Sequence, residues 1–404
     1  MSGAPGITIS LHLLGITSDG RVWHTSQPEG TYDSEGAWQT WEEVKAPGSH
    51  QPGPFIHVDC VSTETADGKE ELYVLGITQD AKLWYTSRVE GQNWQPFVDL
   101  GTRIGGGWNF RHVAVTEAAG QIDMCVVVSV EHGAQRILHT RRPAGKTTWE
   151  QFEEITRPDL AGFPGSFISV DCAYTGSYQF AMLHVCGVTS DGKLWHTIHF
   201  ANPTWLPFVN VQFLSKNGPS SFANVSLAQL PLQLDVCAQA GGKLWHTARP
   251  ERSLPLHWQS TFDNISQQTS DTRVFGSIGC SYFNGTLHIC GVTDDGKLWL
   301  TWRSSENPSI WQPFEDLTTG IGNPGHFVFA CLSGPTTLNA PSAGGPGCPD
   351  IQMSLTNDNF QMQALQMQAA STTNNAMIAQ INQQIAGLQK NIASLRQQAR
   401  DRNC

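Results

Sequence analysis

Five tryptophans recur along this chain within copies of one short phrase, which reads Gly-Val-Thr-Ser-Asp-Gly-Lys-Leu-Trp-His-Thr at 187–197. His or Tyr follows most of these tryptophans, and Arg often stands four residues beyond them. An aromatic face beside imidazole and guanidinium groups can hold a polar ligand by stacking and hydrogen bonding. The candidate binding residues are therefore Trp23, His24, Trp84, Tyr85, Arg88, Trp195, His196, Trp245, His246, Arg249, Trp299 and Arg303.

The phrase recurs at a nearly regular interval. Its copies lie at 15–25, 76–86, 187–197, 238–247 and 291–301, and an eroded sixth copy, Ile-Leu-His-Thr, lies at 137–140. Successive copies are about 50 to 61 residues apart, a period typical of propellers and other repeat arrays.

Each repeat carries the pattern of four short β-strands. In 183–189 the side chains alternate between two faces, and Asp191-Gly192 supplies a tight hairpin turn before the phrase strand returns. An alternating apolar run precedes this hairpin. A second signature follows it, which begins with Trp and ends with an aromatic residue, an acid or amide, and an aliphatic residue. Six such units with no helical stretch among them predict an all-β fold, a six-bladed β-propeller of four-stranded antiparallel blades.

The ring is predicted to close by joining its two ends. Too few residues precede the first phrase to form an innermost strand, whereas 326–331 is an unpaired run of the innermost type. We therefore expect a propeller at 1–334, a Gly/Pro/Ser linker at 335–352 and a helical tail at 353–404.

The tail carries a heptad pattern. Its apolar residues alternate spacings of three and four, which is typical of a coiled-coil seam. The pattern predicts self-association as a dimer or trimer, and a helix lying back along its own propeller is the alternative. The seam residues are Ile378, Ile381, Ile385, Leu388, Ile392 and Leu395.

Composition narrows the class of partner and the compartment. The net charge is −11 and no basic stripe is visible, so a nucleic-acid partner is disfavoured. The chain has no run of 18 apolar residues and no signal-peptide pattern at its start, so we expect cytoplasmic synthesis without membrane insertion, with non-classical export left open.

The ten cysteines are expected to be mostly reduced. Eight of them stand at strand positions as small buried hydrophobic residues, and no CxxC spacing is present. We therefore expect no metal site and no cofactor. The eight are Cys60, Cys125, Cys172, Cys186, Cys237, Cys280, Cys290 and Cys331.

Every candidate binding residue also has a structural interpretation. A phrase Trp on a strand between blades can belong to the core, and the His after it can form a polar contact between blades. An Arg beyond the phrase can pair with the acid that closes its own unit, as Arg88 with Asp99 or Arg303 with Asp316.

The phrase with its trailing Arg (Arg88, Arg142, Arg249, Arg303) resembles the β-propeller lectins of the Photorhabdus type and the related tectonin-like propellers. The resemblance covers roughly residues 7 to 334 and recurs six times, although seven-bladed members are known and this chain has six repeats. It implies shallow, metal-free sites between blades that bind fucose or O-methylated sugars. A pyranose fits such a site because it offers a C–H face for an aromatic ring and hydroxyls for polar side chains. The copies differ, so we expect fewer than six sites and multivalent binding to glycans.

Two other classes of function stay open. Six-bladed propellers also occur in sialidases and other glycosidases, which normally need two carboxylates at a set separation. The acids of this chain are distributed evenly by the repeat, so we expect no catalytic residues and no enzyme activity. The other class is a protein-binding scaffold that uses the faces of the propeller.

Overall fold

A computed structural model describes most of the chain. The described residues are 10–28, 38–49, 51–130, 133–156, 164–176, 181–199, 205–215, 217–230, 233–250, 258–259, 261–305, 307–335, 362 and 375–401. The predicted linker at 335–352, apart from residue 335, and most of the tail before residue 375 lie outside the described residues, as do Cys348 and Cys404.

The described strands form six antiparallel four-stranded sheets, which confirms the predicted six-bladed β-propeller. Blade 1 contains β1 (Ser10–Thr17), β2 (Val22–Pro28), β3 (Glu42–Glu43) and β24 (Phe327–Ser333). Blade 2 contains β4 (Phe55–Glu64), β5 (Glu70–Thr78), β6 (Leu83–Val89) and β7 (Val98–Asp99). Blade 3 contains β8 (Asn109–Ala118), β9 (Gln121–Ser129), β10 (Gln135–Arg142) and β11 (Glu153–Glu154).

The second half of the ring repeats this arrangement. Blade 4 contains β12 (Phe167–Thr175), β13 (Met182–Thr189), β14 (Leu194–His199) and β15 (Val209–Asn210). Blade 5 contains β16 (Asn224–Leu230), β17 (Gln233–Ala240), β18 (Lys243–Pro250) and β19 (Asp263–Asn264). Blade 6 contains β20 (Phe275–Phe283), β21 (Thr286–Thr293), β22 (Leu298–Ser304) and β23 (Glu315–Asp316).

The termini close the ring inside blade 1. Strand β24 pairs antiparallel with β1, with Ala330 opposite Gly15, and so supplies the innermost strand that the start of the chain lacks. The predicted closure is confirmed.

The hairpin turns of the phrase take two forms. In blade 1 the amide of Gly20 donates to the carbonyl of Thr17 at 2.7 Å, and Gly20 has a positive φ of 78°. In the shorter blade 5 copy both Gly241 and Gly242 have positive φ, 56° and 73°, as a two-residue hairpin turn requires. The extra residue of the longer copies therefore changes the turn so that one residue takes a positive φ, which is Gly20, Gly192 or Gly296 in three copies and Ala81 (φ 63°) in blade 2.

The glycine that opens the phrase accommodates an aromatic ring. A Cβ added at Gly76 would lie 2.7 Å from the ring of Phe55, which begins the innermost strand of the same blade. The same relationship joins Gly187 to Phe167 and Gly291 to Phe275.

Short helices follow four of the outer strands, in contrast to the prediction that no helix occurs within the repeats. They are α1 (Leu100–Ile104), α2 (Val211–Leu214), α3 (Ile265–Gln268) and α4 (Leu317–Gly320). The acid or amide of the second signature is their N-cap, since the Asp99 side chain accepts a hydrogen bond from the Thr102 amide and Asn264 does the same for Gln267. A single turn is too short to show helical periodicity in the sequence.

The apolar core lies between the blades. Six buried clusters each combine residues from two adjacent blades, such as Leu75 and Ile77 of blade 2 with Phe110 and Val126 of blade 3. Side chains that project from a blade face therefore meet the neighbouring blade.

The eight strand cysteines are buried and free of disulfides, as expected. Thiol neighbours meet across blade interfaces, since Cys172 hydrogen-bonds Cys125 and Cys331 hydrogen-bonds Cys60. Burial holds the pKa of the Cys172 and Cys331 thiols well above the usual range.

The described part of the tail is one helix, α5 (Asn375–Asp401). Within a single chain Ile381 and Ile392 are each only 4% exposed, whereas Ile385 and Leu388 are half-buried. Part of the predicted seam is therefore covered by the chain itself. No described helix is both long and apolar enough to span a membrane.

Candidate functional site: the blade interfaces

The phrase Trp side chains belong to the core side of their blades. Trp23 Nε1 donates to Thr17 Oγ1 at 3.2 Å, and Thr17 Oγ1 donates to Asp19 Oδ1 at 2.6 Å. Trp84 and Trp299 form the same bond to the equivalent threonine. The phrase tryptophans are half-buried and pack against the cluster shared with the preceding blade; these are Trp23, Trp84, Trp195, Trp245 and Trp299. Their conserved spacing thus serves the turn and the core.

The residue after each phrase Trp, or after Leu138 in the eroded copy, faces the following blade. In four interfaces this residue is a buried His, and the Trp of the second signature in the next blade packs against its ring. The centroid distances are 5.7 Å for His24 and Trp94, 5.1 Å for His139 and Trp205, 5.1 Å for His196 and Trp258, and 6.0 Å for His246 and Trp311. Each interface therefore presents an imidazole beside an indole, and the surrounding charges distinguish one interface from another.

Interface 1/2 combines an acid and a cation from different blades. His24 Nδ1 lies 2.8 Å from Glu42 Oε1 on the outer strand of blade 1. Arg88 of blade 2 forms an ion pair with the same carboxylate, and its guanidinium lies 4.6 Å from the Trp94 ring centroid. The Glu42 side chain is 42% exposed and that of Arg88 is 20% exposed, so both groups are accessible to a ligand.

A second imidazole extends this interface toward the channel side of the blades. His12 Nδ1 lies 3.0 Å from His24 Nε2, and His12 Nε2 lies 3.1 Å from Glu70 Oε1. A cavity of about 280 Å³ opens between blades 1 and 2 here, and its polar lining includes His12, Glu70 and Arg88. Pro28 and Leu72 add apolar surface to the same lining. The cavity has the size and mixed lining of a small-ligand site.

Burial and the ion pair set the protonation states of interface 1/2. Burial lowers the pKa of His24 to about 4, against the opposing hydrogen bond to Glu42, so the imidazole is neutral near pH 7. Burial alone would raise the pKa of Glu42, but the His24 hydrogen bond and the Arg88 charge hold it below its usual range. A ligand at this interface therefore meets a carboxylate and a guanidinium side by side.

Interface 5/6 also combines a His, an Arg and an acid, and here all three side chains are buried. Arg303 Nη2 lies 3.1 Å from Asp235 Oδ1, and His246 Nε2 lies 2.6 Å from the same oxygen. The Asp235 side chain is fully buried, and the Arg303 guanidinium lies 4.7 Å from the Trp311 ring centroid. Here the charges neutralise one another inside the protein.

Interface 3/4 has a charged imidazole instead of an arginine. His139 lies between two carboxylates, 2.7 Å from Asp123 and 2.8 Å from Glu153. Burial opposes its protonation, but these two hydrogen bonds raise the pKa of His139 to about 9. The hydrogen bond from His139 lowers the pKa of Glu153 to about 2, and Trp205 Nε1 donates to Glu153 at 3.0 Å.

At each of the other three interfaces, another residue replaces the outer-strand acid or the His. At interface 4/5 Val209 stands opposite His196, and the buried His196 contacts His184 at 2.9 Å. At interface 6/1 the buried Leu300 replaces the His. At interface 2/3 Tyr85 replaces it, and Val98 stands opposite. Among the described residues no three His, Cys, Asp or Glu side chains are placed to hold a metal ion.

The arginines beyond the phrase do not pair with the acids of their own units. The expected partner of Arg88, Asp99, instead caps α1, and that of Arg303, Asp316, binds Lys297 at 2.9 Å. An Arg on β6 or β22 projects to the preceding blade, whereas the closing acid lies at the start of a helix, which explains why these pairings were wrong. Arg249 is likewise directed into interface 4/5, where its charge helps to lower the pKa of His184 and His196 after the larger effect of burial.

Several residues of interface 1/2 were not anticipated from the sequence. Glu42, Glu70 and His12 lie outside the phrase and approach Arg88 only through blade packing. Trp94 was noted only as a repeat signature. The sequence did contain a signal for the acid, at the outer-strand position opposite the residue after the phrase Trp. This position is an acid in four blades and Val in two, and its residues in blade order are Glu42, Val98, Glu153, Val209, Asp263 and Glu315.

The fold defines the chain as a six-bladed propeller, and solved structures share that fold. BP39L lectin from Burkholderia pseudomallei aligns with a TM-score of 0.51 at 16% identity over 77% of this chain and 82% of its own. A mutant of Aleuria aurantia lectin in complex with Fucα1-6GlcNAc aligns with a TM-score of 0.53 at 14% identity over 78% of this chain and 95% of its own.

A triple arginine mutant of AofleA from Arthrobotrys oligospora aligns with a TM-score of 0.52 at 12% identity over 81% of this chain and 87% of its own. At such identities the likeness establishes the fold alone. No protein-family profile and no curated protein sequence matches the chain.

Proposed function

We propose that this protein is a carbohydrate-binding lectin whose principal site is interface 1/2. The observation that carries the proposal is the exposed Arg88–Glu42 pair beside a cavity of about 280 Å³. A guanidinium and a carboxylate together offer several donors and acceptors in fixed positions, which suits adjacent sugar hydroxyls. Pro28, which is half-buried in the lining, offers apolar surface for the C–H face of the ring.

Fucose or an O-methylated sugar is the favoured ligand. The resemblance to Photorhabdus-type and tectonin-like lectins supports this choice. So does the ligand of a propeller that shares the fold, a fucose-specific lectin from Aleuria aurantia. The sites are unequal, because the charged groups of interface 5/6 are buried and those of interface 1/2 are accessible.

Calorimetry with methyl α-L-fucoside tests the proposal. The wild-type chain should bind, and Arg88→Gln should weaken binding about tenfold or more, because a hydrogen bond to a charged group contributes about 1.5–3 kcal/mol. Glu42→Gln should weaken it as well, whereas Lys82→Gln changes an exposed turn of the same blade and should not. Binding that survives both interface variants would contradict the assignment of the site.

The function proposed is binding and not hydrolysis. Glu42 and Glu153 already accept hydrogen bonds from His24 and His139, and that arrangement supports fixed recognition groups over a free acid and base pair. Turnover of a chromogenic fucoside by the wild-type chain would contradict this part of the proposal.

A further inference from the structure

Interface 2/3 differs from interface 1/2 in its charge. Arg142 is the counterpart of Arg88. Arg88 lies three residues after Tyr85 on β6, and Arg142 lies three residues after His139 on β10. Val98 lies opposite Tyr85, at the place where Glu42 lies opposite His24. Interface 2/3 thus keeps the cation and has Val98 where interface 1/2 has the acid that pairs with it.

The guanidinium of Arg142 rests on an aromatic ring. Its Cζ lies 4.2 Å from the Tyr73 ring centroid, and its buried Nε has no hydrogen-bond partner within the described part of the chain. Burial and a hydrogen bond with Glu71 raise the pKa of Tyr73 to about 12, while Arg142 opposes that shift through its charge and its own hydrogen bond to the phenol. Glu71 therefore engages the phenol, and the guanidinium keeps donors for another acceptor.

This interface is also more open than its counterparts. Tyr85, Arg142 and Trp149 are all half-buried, whereas His246, Arg303 and Trp311 at interface 5/6 are buried. Tyr85 and Trp149 pack on the core cluster between blades 2 and 3. Two partly exposed aromatic rings beside an arginine can contact a sugar ring and an attached group at once.

We propose that interface 2/3 binds an acidic sugar, with Arg142 pairing to a carboxylate or sulfate group on the ring. A planar guanidinium suits such anions because it can donate two parallel hydrogen bonds. At interface 1/2 the carboxylate of Glu42 would repel the same anion, so each interface selects a different class of sugar. The inference rests on the proposed function, because it treats the blade interfaces as sugar sites.

The test compares acidic sugars with a neutral one. We titrate the full chain by calorimetry at low salt with methyl β-D-glucuronide, with its uncharged methyl ester and with a methyl galactoside 6-sulfate. We expect the acid to bind about tenfold tighter than the ester, as for one charged hydrogen-bonded contact. Binding of the glucuronide identifies a carboxylate site and binding of the sulfated galactoside identifies a sulfate site, and either result supports the proposal.

Two variants place the site on Arg142. Arg142→Gln should abolish the preference for the acid over the ester. Val98→Glu leaves Arg142 in place and supplies the acid of interface 1/2, so it should abolish the preference too, while the similarly sized Val98→Gln should retain it. Methyl fucoside affinity should be unchanged in all three variants.

Two outcomes would contradict the inference. Equal affinity for acid and ester together with no binding of the sulfated galactoside, or a preference for the acid that survives both Arg142→Gln and Val98→Glu, would overturn the inference. A chain that binds the glucuronide through Arg142 but no neutral fucoside would support it and contradict the proposed function of interface 1/2.

Discussion

Arg88 of blade 2 and Glu42 of blade 1 form an ion pair across a blade interface, although 46 residues separate them in the chain. Arg303 of blade 6 and Asp235 of blade 5 also form an ion pair across an interface, 68 residues apart, but Asp235 lies on the second strand of its blade and Glu42 on the outer strand. The Glu42 side chain is 42% exposed and the Asp235 side chain is 0% exposed. We therefore expect the exposed pair to contribute to recognition and the buried pair to contribute to stability.

Removing the arginine of each pair should separate these roles. Arg303→Gln removes the arginine from a fully buried carboxylate that keeps His246 and the neutral Gln233 among its partners, so we expect a loss of about 3 kcal/mol in the free energy of unfolding. Arg88→Gln breaks a partly exposed pair and should cost about 1 kcal/mol or less. Urea unfolding of both variants measures the difference, and equal losses would show that depth does not distinguish the pairs.

The two buried imidazoles His139 and His24 should give opposite pH dependence. The pKa of His139 is raised to about 9, so its contribution to stability is complete below pH 6.5 and is lost as the pH rises through 9. The pKa of His24 is lowered to about 4, so its contribution is present above pH 6.5 and is lost as the pH falls toward 4.

Thermal unfolding between pH 4 and pH 9.5 measures both effects. His139→Gln should flatten the loss of melting temperature on the alkaline side, and His24→Gln should flatten the loss on the acidic side. An alkaline limb that is unchanged in His139→Gln would mean that other groups produce it.

The six blades and their closure were predictable because they depend on local patterns. The phrase, the alternating strands and the turn glycines lie close together in the sequence, and the unpaired run that became β24 had no other place in the ring. The short helices were not predicted, since an N-cap such as Asp99 looks like a residue that ends a strand.

The candidate site was less accessible to sequence reasoning because it is assembled between repeats. The phrase could place His24 and Arg88 on blade faces, but it could not show that Arg88 reaches Glu42 and not Asp99. The phrase Trp attracted a binding hypothesis because it recurs, but all five of these residues pack on the core between blades, and Trp23, Trp84 and Trp299 also hydrogen-bond the threonine of the turn. Whether those tryptophans also contact sugar stays a prediction.

Gly76 provides a test of packing within one blade. Gly76→Ala would place a Cβ 2.7 Å from the Phe55 ring, so either the ring or β5 must shift. We expect a loss of about 1–3 kcal/mol in the free energy of unfolding, the usual cost of overpacking. Gly107→Ala is the matched control, since no atom lies within 4 Å of its added Cβ. A stable Gly76→Ala chain would indicate that Phe55 moves at little cost.

The tail offers the last test, because its seam is only partly covered. Ile381 and Ile392 are buried within one chain, but Ile385 and Leu388 stay half-exposed on the same helix. An apolar stripe of this kind is stabilised by packing on another helix, and we expect one or two further copies of the chain to provide that helix. Light scattering should therefore give two or three times the chain mass for the wild-type protein, and Ile385→Asp with Leu388→Asp should reduce it to one. The same variant should keep its affinity for a monovalent sugar and lose agglutination, since only the number of linked propellers changes. A wild-type mass equal to one chain would mean that α5 packs solely within its own chain.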